Sequence, residues 1–193
     1  MSIQPSEEVK IWKGFQKGDR KAFAQIYQAH FSALYNYGYR FCADESLAKE
    51  GVQELFVKLW NRKENLNIPA SVRYYLIKSL RRTLLDMQKK QAKFCDLPEN
   101  DHSLSEHSSE FLLIKERAIE EQNQFLEEAM DTLSKRQKEA IYLKFYENLS
   151  YEEVSSAMSL TVKSVYNLIS KAVEVLRQNT PYVNLMLLVS IMP

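Results

Sequence analysis

Apolar residues recur at helical spacing along most of the chain, and the polar positions between them mark where helices begin and end. Phe23, Ile26, Tyr27, Phe31, Leu34, Tyr35 and Gly38 fall on one face of a 3.6-residue repeat, with Asp19 placed to cap it. This spacing predicts a helix over 20–41. Asp44 can cap a second helix, in which Leu47, Gly51, Leu55 and Leu59 form one stripe, flanked by Val52, Phe56 and Trp60. A polar break over 61–70 follows, with Asn65, Asn67 and Pro69 as turn signals. Pro69 or Ser71 then opens a third helix, predicted from 72 to about 94. Tyr75, Leu76, Leu80, Leu84 and Met87 give it an apolar side, and its basic residues fall largely on the other.

Periodicity is lost over 96–110, a polar, acidic, Ser-rich stretch containing Pro98, which is expected to be a linker. A helix over about 111–130 follows. Ser134 is placed to cap another, running to about Tyr146 and ended by Asn148. Ser150 and Glu153 have the spacing of a capping box, in which each side chain satisfies the other's backbone N–H. A short helix to Met158, a tight turn at Ser159 and Leu160, and a last helix capped by Thr161 and running to about Gln178 complete the pattern. Helix, short turn, helix is the layout of a DNA-reading motif. It is also the layout of an αα-hairpin in unrelated helical proteins. Val154, Ala157, Leu160, Val165, Leu168 and Ile169 stand where the two helices would pack. The second helix is then expected to expose Lys163, Ser164, Tyr166, Asn167, Ser170 and Lys171, which can bond phosphates or base edges.

Charge sharpens this picture. The 193 residues carry a net charge of only +1, but the charges are segregated. Residues 58–95 hold ten basic residues against Glu64 and Asp86, and residues 96–131 hold eleven acidic residues against Lys115 and Arg117. A concentrated basic block suits a polyanionic partner, although a solvated helix face has the same composition. With only 4 Gly and 5 Pro, a turn-rich all-β fold is disfavoured. Cys42 and Cys95 match no metal spacing, and His30, His102 and His107 lack a ligand set around them. No glycine-rich phosphate loop, metal spacing or nucleophile–base pair stands out, so no catalytic residue, metal site or cofactor is expected. No apolar run approaches the length of a membrane span, and the N-terminus has no apolar segment suited to secretion. The expectation is a soluble, cytoplasmic protein.

Several segments resemble bacterial RNA polymerase sigma factors, in that family's order. Gly18-Asp19-Arg20-Lys21-Ala22-Phe23 with Tyr27 is similar to the opening helix of sigma domain two. Residues 48–60, through the spacing of Gln53, Phe56 and Trp60, resemble the segment that docks on the polymerase's large-subunit coiled coil. Tyr75-Leu76-Ile77-Lys78-Ser79-Leu80-Arg81-Arg82 with Asp86 resembles the promoter-melting helix. Leu133-Ser134-Lys135-Arg136-Gln137, the Ser150 capping box, Val165 and Lys171-Ala172 resemble sigma domain four. Two such domains joined by an acidic linker resemble the small, extracytoplasmic-function type. The chain departs from the family pattern in having Lys49 where an acidic residue is usual, Tyr75 for a common Trp, Arg82 for a common Asn, and Ser159 for a common turn Gly.

The resemblance implies an all-α fold of two small helical domains. Sigma domain two would span 1–95, the linker 96–115, domain four with its helix-turn-helix 116–180, and an apolar tail 181–193. It implies core RNA polymerase and promoter DNA as partners. An anti-sigma factor is implied by the family only, and by no motif in the chain. Polymerase contacts would come from Gln53, Glu54, Phe56, Leu59 and Trp60, of which Phe56 and Leu59 fit core packing equally well. The minus-ten element would be held by Arg62, Lys63, Asn65, Asn67, Tyr74, Tyr75, Lys78, Arg81, Arg82, Lys89 and Lys90. In this set, basic groups neutralise phosphates and aromatic faces stack on unpaired bases, and the loop over 62–67 would receive a flipped base. The minus-thirty-five element would be read by Lys163, Ser164, Tyr166, Asn167, Ser170 and Lys171, with Arg136 and Lys144 fixing backbone register.

Two segments keep open readings. The acidic linker is either a plain tether or, as the resemblance implies, a strand threaded toward polymerase channels. The tail either packs on the last domain, or holds the two domains together or meets an inhibitory partner. The rival reading of the whole chain is a helix-turn-helix regulator with a helical sensor domain. It explains 130–178 but not the aromatic, basic helix over 72–93.

Overall fold

The computed structural model of the chain describes residues 5–94 and 130–179, and divides the molecule into two compact units, 1–101 and 102–193. Every element among the described residues is helical. The linker, the tail, Cys95, His102, His107 and all but the last residue of the helix expected over about 111–130 lie outside the described residues.

The first unit contains α1 (Pro5–Gln16), α2 (Arg20–Cys42), α3 (Glu45–Asn61) and α4 (Val72–Phe94), with a 3₁₀ turn at Lys63–Asn65. Local chemistry sets the boundaries. The Asp19 carboxylate accepts the Lys21 N–H at 2.8 Å, and the Asp44 carboxylate accepts that of Leu47 at 2.9 Å. Ala43 turns the chain with φ 52° between α2 and α3. Of the two openings expected for α4, Ser71 is the one whose hydroxyl accepts a helix N–H, that of Tyr74 at 3.2 Å.

The core of this unit joins all four helices. Ile26, Leu34 and Tyr37 of α2 meet Leu47, Val52, Leu55, Phe56 and Leu59 of α3 and Leu76, Ile77, Leu80 and Leu84 of α4 among the buried residues. At Gly51 a Cβ would overlap the Leu84 side chain, so only glycine lets α3 and α4 approach this closely. Sequence reading passed over α1, yet Trp12 and Phe15 are both 0% exposed. Trp12 packs edge-on to Phe15 and to Tyr75, with centroids 5.3 and 5.6 Å apart. The Glu8 carboxylate accepts the backbone N–H of Val72, at the first turn of α4.

The second unit contains α5 (Lys135–Ile141), a π-helical turn (Tyr142–Tyr146), α6 (Tyr151–Met158) and α7 (Val162–Asn179). Ser134 caps α5 and forms a full capping box with Gln137. The single helix expected to reach Tyr146 instead widens after Ile141. The Glu147 N–H donates to the Tyr142 carbonyl and the Leu149 N–H to that of Leu143, at 3.0 and 3.1 Å. These longer loops of hydrogen bonding replace the α-helical ladder. Asn148 ends the element in the left-handed region, at φ 54°.

The capping box of Ser150 and Glu153 is complete, at 2.8 and 3.1 Å. Ser159 closes α6 at φ 55°, and the Thr161 hydroxyl accepts the Ser164 N–H at 3.1 Å to open α7. Val154, Ala157, Met158, Val165, Ile169, Ala172 and Leu176 are buried where α6 and α7 pack with Ala140, Ile141 and Leu143. Leu160 and Leu168, also expected at this contact, are half-buried.

Candidate nucleic-acid interface

Along α3 the apolar stripe turns inward and leaves a narrow polar face. Gln53 and Glu54 are exposed, and Glu54 pairs with Lys58 at 3.1 Å. Phe56 and Leu59 are only 4% and 3% exposed. Both side chains pack in the core, the alternative that their spacing also allowed. Phe56 meets the rings of Phe23 and Tyr27 at 5.9 and 4.8 Å, so it supports the face from behind and cannot form part of it. Trp60 is half-buried, tilted on Phe23 at 5.0 Å and on Phe15 at 6.3 Å. Val57, which sequence reading missed, is 55% exposed. It stands four residues after Gln53 and three before Trp60, on the same side of the helix. An apolar residue on the polar side of the stripe was the signal that could have identified it.

The loop after α3 is held at both ends. The Lys63 ammonium lies 4.8 Å from the centroid of the Trp60 ring and donates to the Trp60 carbonyl at 3.5 Å. The Gln16 side-chain amide donates to the Leu66 carbonyl, tying α1 to the loop. Arg62, Asn65 and Asn67 remain exposed, whereas Lys63 is half-buried by these contacts.

On α4 the charged residues form a stripe. Lys78, Arg82, Lys89 and Lys90 are exposed at steps that return to one side of the helix, together with Asp86. Tyr74 is half-buried, with the Lys78 ammonium 5.7 Å from its ring centroid. Tyr75 turns the other way, toward Trp12, so the two adjacent tyrosines do not share a face. Arg81 is half-buried, its guanidinium 5.5 Å from the centroid of Phe41. Thus Tyr74, Lys78, Arg82, Lys89 and Lys90 are brought together, while Tyr75 and Arg81 brace the helix.

His30 lies beside Glu8 and near Arg73 in the first unit. Burial, and then the Arg73 charge, push its pKa down to about 4. Its 3.5 Å contact with Glu8 therefore joins a carboxylate to a neutral ring at pH 7 and is no ion pair. Burial pushes Glu8 up, partly offset by the Val72 N–H. The Cys42 thiol donates to the Gly38 carbonyl at 2.9 Å, and burial raises its pKa, which disfavours the reactive thiolate.

In the second unit all six residues expected on the outer side of α7 are exposed: Lys163, Ser164, Tyr166, Asn167, Ser170 and Lys171. The Ser164 hydroxyl also lies 2.8 Å from that of Thr161, so part of its bonding capacity serves the cap. Arg136 is exposed at the start of α5. Lys144 is engaged within the unit. It is half-buried, donates to the Leu149 carbonyl at 3.0 Å, and lies 4.7 Å from the ring centroid of Tyr151. Tyr151 in turn stacks on Tyr166, with centroids 3.8 Å apart. No group of metal-ligating side chains occurs among the described residues, and no described helix is long and apolar enough to cross a membrane.

Family models match both units. Sigma-70 region 2 matches residues 26–94, and Sigma-70, region 4, matches residues 125–176. The chain belongs to the sigma-70 family. It is a sigma factor of the extracytoplasmic-function type, and the match of both halves disfavours the regulator with a sensor domain. A curated relative, RNA polymerase sigma factor SigV of Bacillus subtilis (strain 168), is 26% identical over 148 residues, or 77% of this chain and 84% of the relative. Two solved structures share the fold. The sigma factor RpoE in complex with the anti-sigma factor NepR, from Bartonella quintana, superposes with a TM-score of 0.66 at 19% identity, covering 85% of this sigma factor and 99% of that chain. CnrH in complex with the cytosolic domain of CnrY gives a TM-score of 0.61 at 18% identity, covering 92% and 99%. Helix α1 precedes the segment matched by region 2, although it supplies Trp12 and Phe15 to the same core.

Proposed function

We propose a division of labour among the surfaces of this sigma factor. The exposed side of α3, with Gln53, Glu54, Val57 and the edge of Trp60, docks on core RNA polymerase. An apolar centre with a polar rim suits a protein interface. The loop with Arg62, Asn65 and Asn67, and the α4 stripe of Tyr74, Lys78, Arg82, Lys89 and Lys90, hold the separated strand of the minus-ten element. Helix α7 enters the major groove of the minus-thirty-five element. The linker and domain boundaries expected from the sequence belong to the same proposal. So do a cytoplasmic location, a role without catalysis, and an anti-sigma partner of the kind that RpoE has in its complex with NepR.

The observation that carries this reading is the α4 stripe. Four exposed cations with an aromatic ring at their N-terminal end, lying within the region 2 match, supply both phosphate affinity and a stacking surface. The test is to mix the purified chain with bacterial core RNA polymerase, then measure binding and transcription from a promoter library. Tight binding with new, sequence-dependent start sites is expected. Failure to bind a cognate core, with duplex DNA bound by the free chain, would overturn the proposal.

A further inference from the structure

The ring stack between α6 and α7 distinguishes Tyr166 from the other residues on the outer side of α7. Lys163, Ser164, Asn167, Ser170 and Lys171 are polar, so Tyr166 alone among these exposed residues offers a large apolar surface, and it is 50% exposed. One face of its ring is covered by Tyr151, at 3.8 Å between centroids and 15° between planes. Tyr151 is the first residue of α6, fixed by the adjoining capping box of Ser150 and Glu153. The Lys144 ammonium, anchored on the Leu149 carbonyl, lies 4.7 Å from the Tyr151 ring centroid. A surface tyrosine ordinarily loses rotational freedom on binding. Here that freedom is already restricted by the stack, so a contact made by the ring incurs a smaller entropic cost.

We propose that Tyr166 is a specificity residue reading the C5 methyl of a thymine in the major groove, and that Tyr151 is the positioning residue that holds its ring for that contact. The proposal rests on the reading of α7 as the minus-thirty-five helix. Among the groups that base pairs present in the major groove, the thymine methyl is the apolar one, and it is the natural partner of an apolar ring surface. Lys144 braces the stack through its charge against the Tyr151 ring.

The experiment uses the full chain assembled with core RNA polymerase, on duplex promoters selected by that assembly. Each thymine of the minus-thirty-five element is replaced in turn by deoxyuridine, which removes only the methyl. At one thymine the replacement weakens wild-type binding about fourfold, the size expected for burying one methyl. With Tyr166→Ala the same replacement has no effect at that position. Tyr151→Leu loses the discrimination, and Tyr151→Phe, which keeps the ring, retains it. Tyr166 is half exposed, so its replacement empties no core site and decides the matter even where Tyr151→Leu fails to fold. Equal sensitivity in wild type and Tyr166→Ala, or no sensitive thymine in the wild type, overturns the proposal. A wild-type assembly whose binding ignores the minus-thirty-five element altogether overturns the reading of α7 as well, which separates the two failures.

Discussion

Leu84 of α4 sits directly over Gly51 of α3, so that the space a Cβ would need at residue 51 is already filled by the leucine side chain. Leu84 is fully buried and is also within 3.6 Å of a Cβ built at Gly38 on α2. A Cβ at residue 51 would therefore force Leu84 to shift within the core. Gly51→Ala is expected to lower stability by about 1–3 kcal/mol through overpacking, despite alanine's better helix propensity. Thermal unfolding of the full chain checks this, and an unchanged or raised midpoint would count against the close approach.

Ser159 presents the opposite case. It occupies the left-handed region at φ 55° as the C-cap of α6, where glycine adopts the same backbone without steric cost. Ser159→Gly is expected to stabilise the second unit by about 1 kcal/mol. Denaturant titration of the two forms side by side is the measurement.

The two sides of α3 predict a clean separation of effects. Val57→Asp and Gln53→Ala should weaken binding to core polymerase, the first by about tenfold, while leaving the unfolding midpoint within the range of surface substitutions. Phe56→Ala should instead lower stability by about 3–5 kcal/mol by opening a cavity in the core. Parallel binding and unfolding measurements on the three variants would reveal any reversal of this order.

His30 makes stability depend on pH. Its folded pKa, about 4, lies below the ordinary 6.5, so the unfolded chain takes up a proton first as pH falls. Its contribution is complete above pH 6.5 and declines between about 6.5 and 4, by on the order of 2–3 kcal/mol. Glu8 acts in the opposite sense over the upper part of its own titration, because its folded pKa is raised. Stability measured across this window should fall less steeply in His30→Leu than in the wild type. Parallel curves would assign the acid sensitivity to other groups.

The features legible in the sequence were those whose chemistry is local. Asp19, Asp44, the Ser150–Glu153 pair and Thr161 cap helices within three residues of themselves, so spacing alone located them. The outer side of α7 was equally legible, because burial of Val165 and Ile169 fixes which residues turn outward. Helix α1 was not. Val9, Trp12 and Phe15 recur every three residues, but Trp12 and Phe15 are buried through contacts with Tyr75 and with Phe23 and Trp60. The π-helical turn depends on hydrogen bonds from Glu147 and Leu149, which no side-chain pattern announces. The opposed directions of Tyr74 and Tyr75, and the engagement of Lys144, follow from rings supplied by other helices.

The burial of Trp12 has an optical consequence. The chain contains two tryptophans, Trp12 and Trp60, and both belong to the first unit. Indole emission is thus a built-in reporter of the first unit, and the second unit carries no indole. Trp12, sealed from solvent, should emit toward the blue until α1 detaches. Trp60, at the rim of the proposed docking face, should respond when polymerase arrives. Following emission alongside helical circular dichroism would therefore resolve melting of one unit from melting of the other in an unlabelled, unmodified protein.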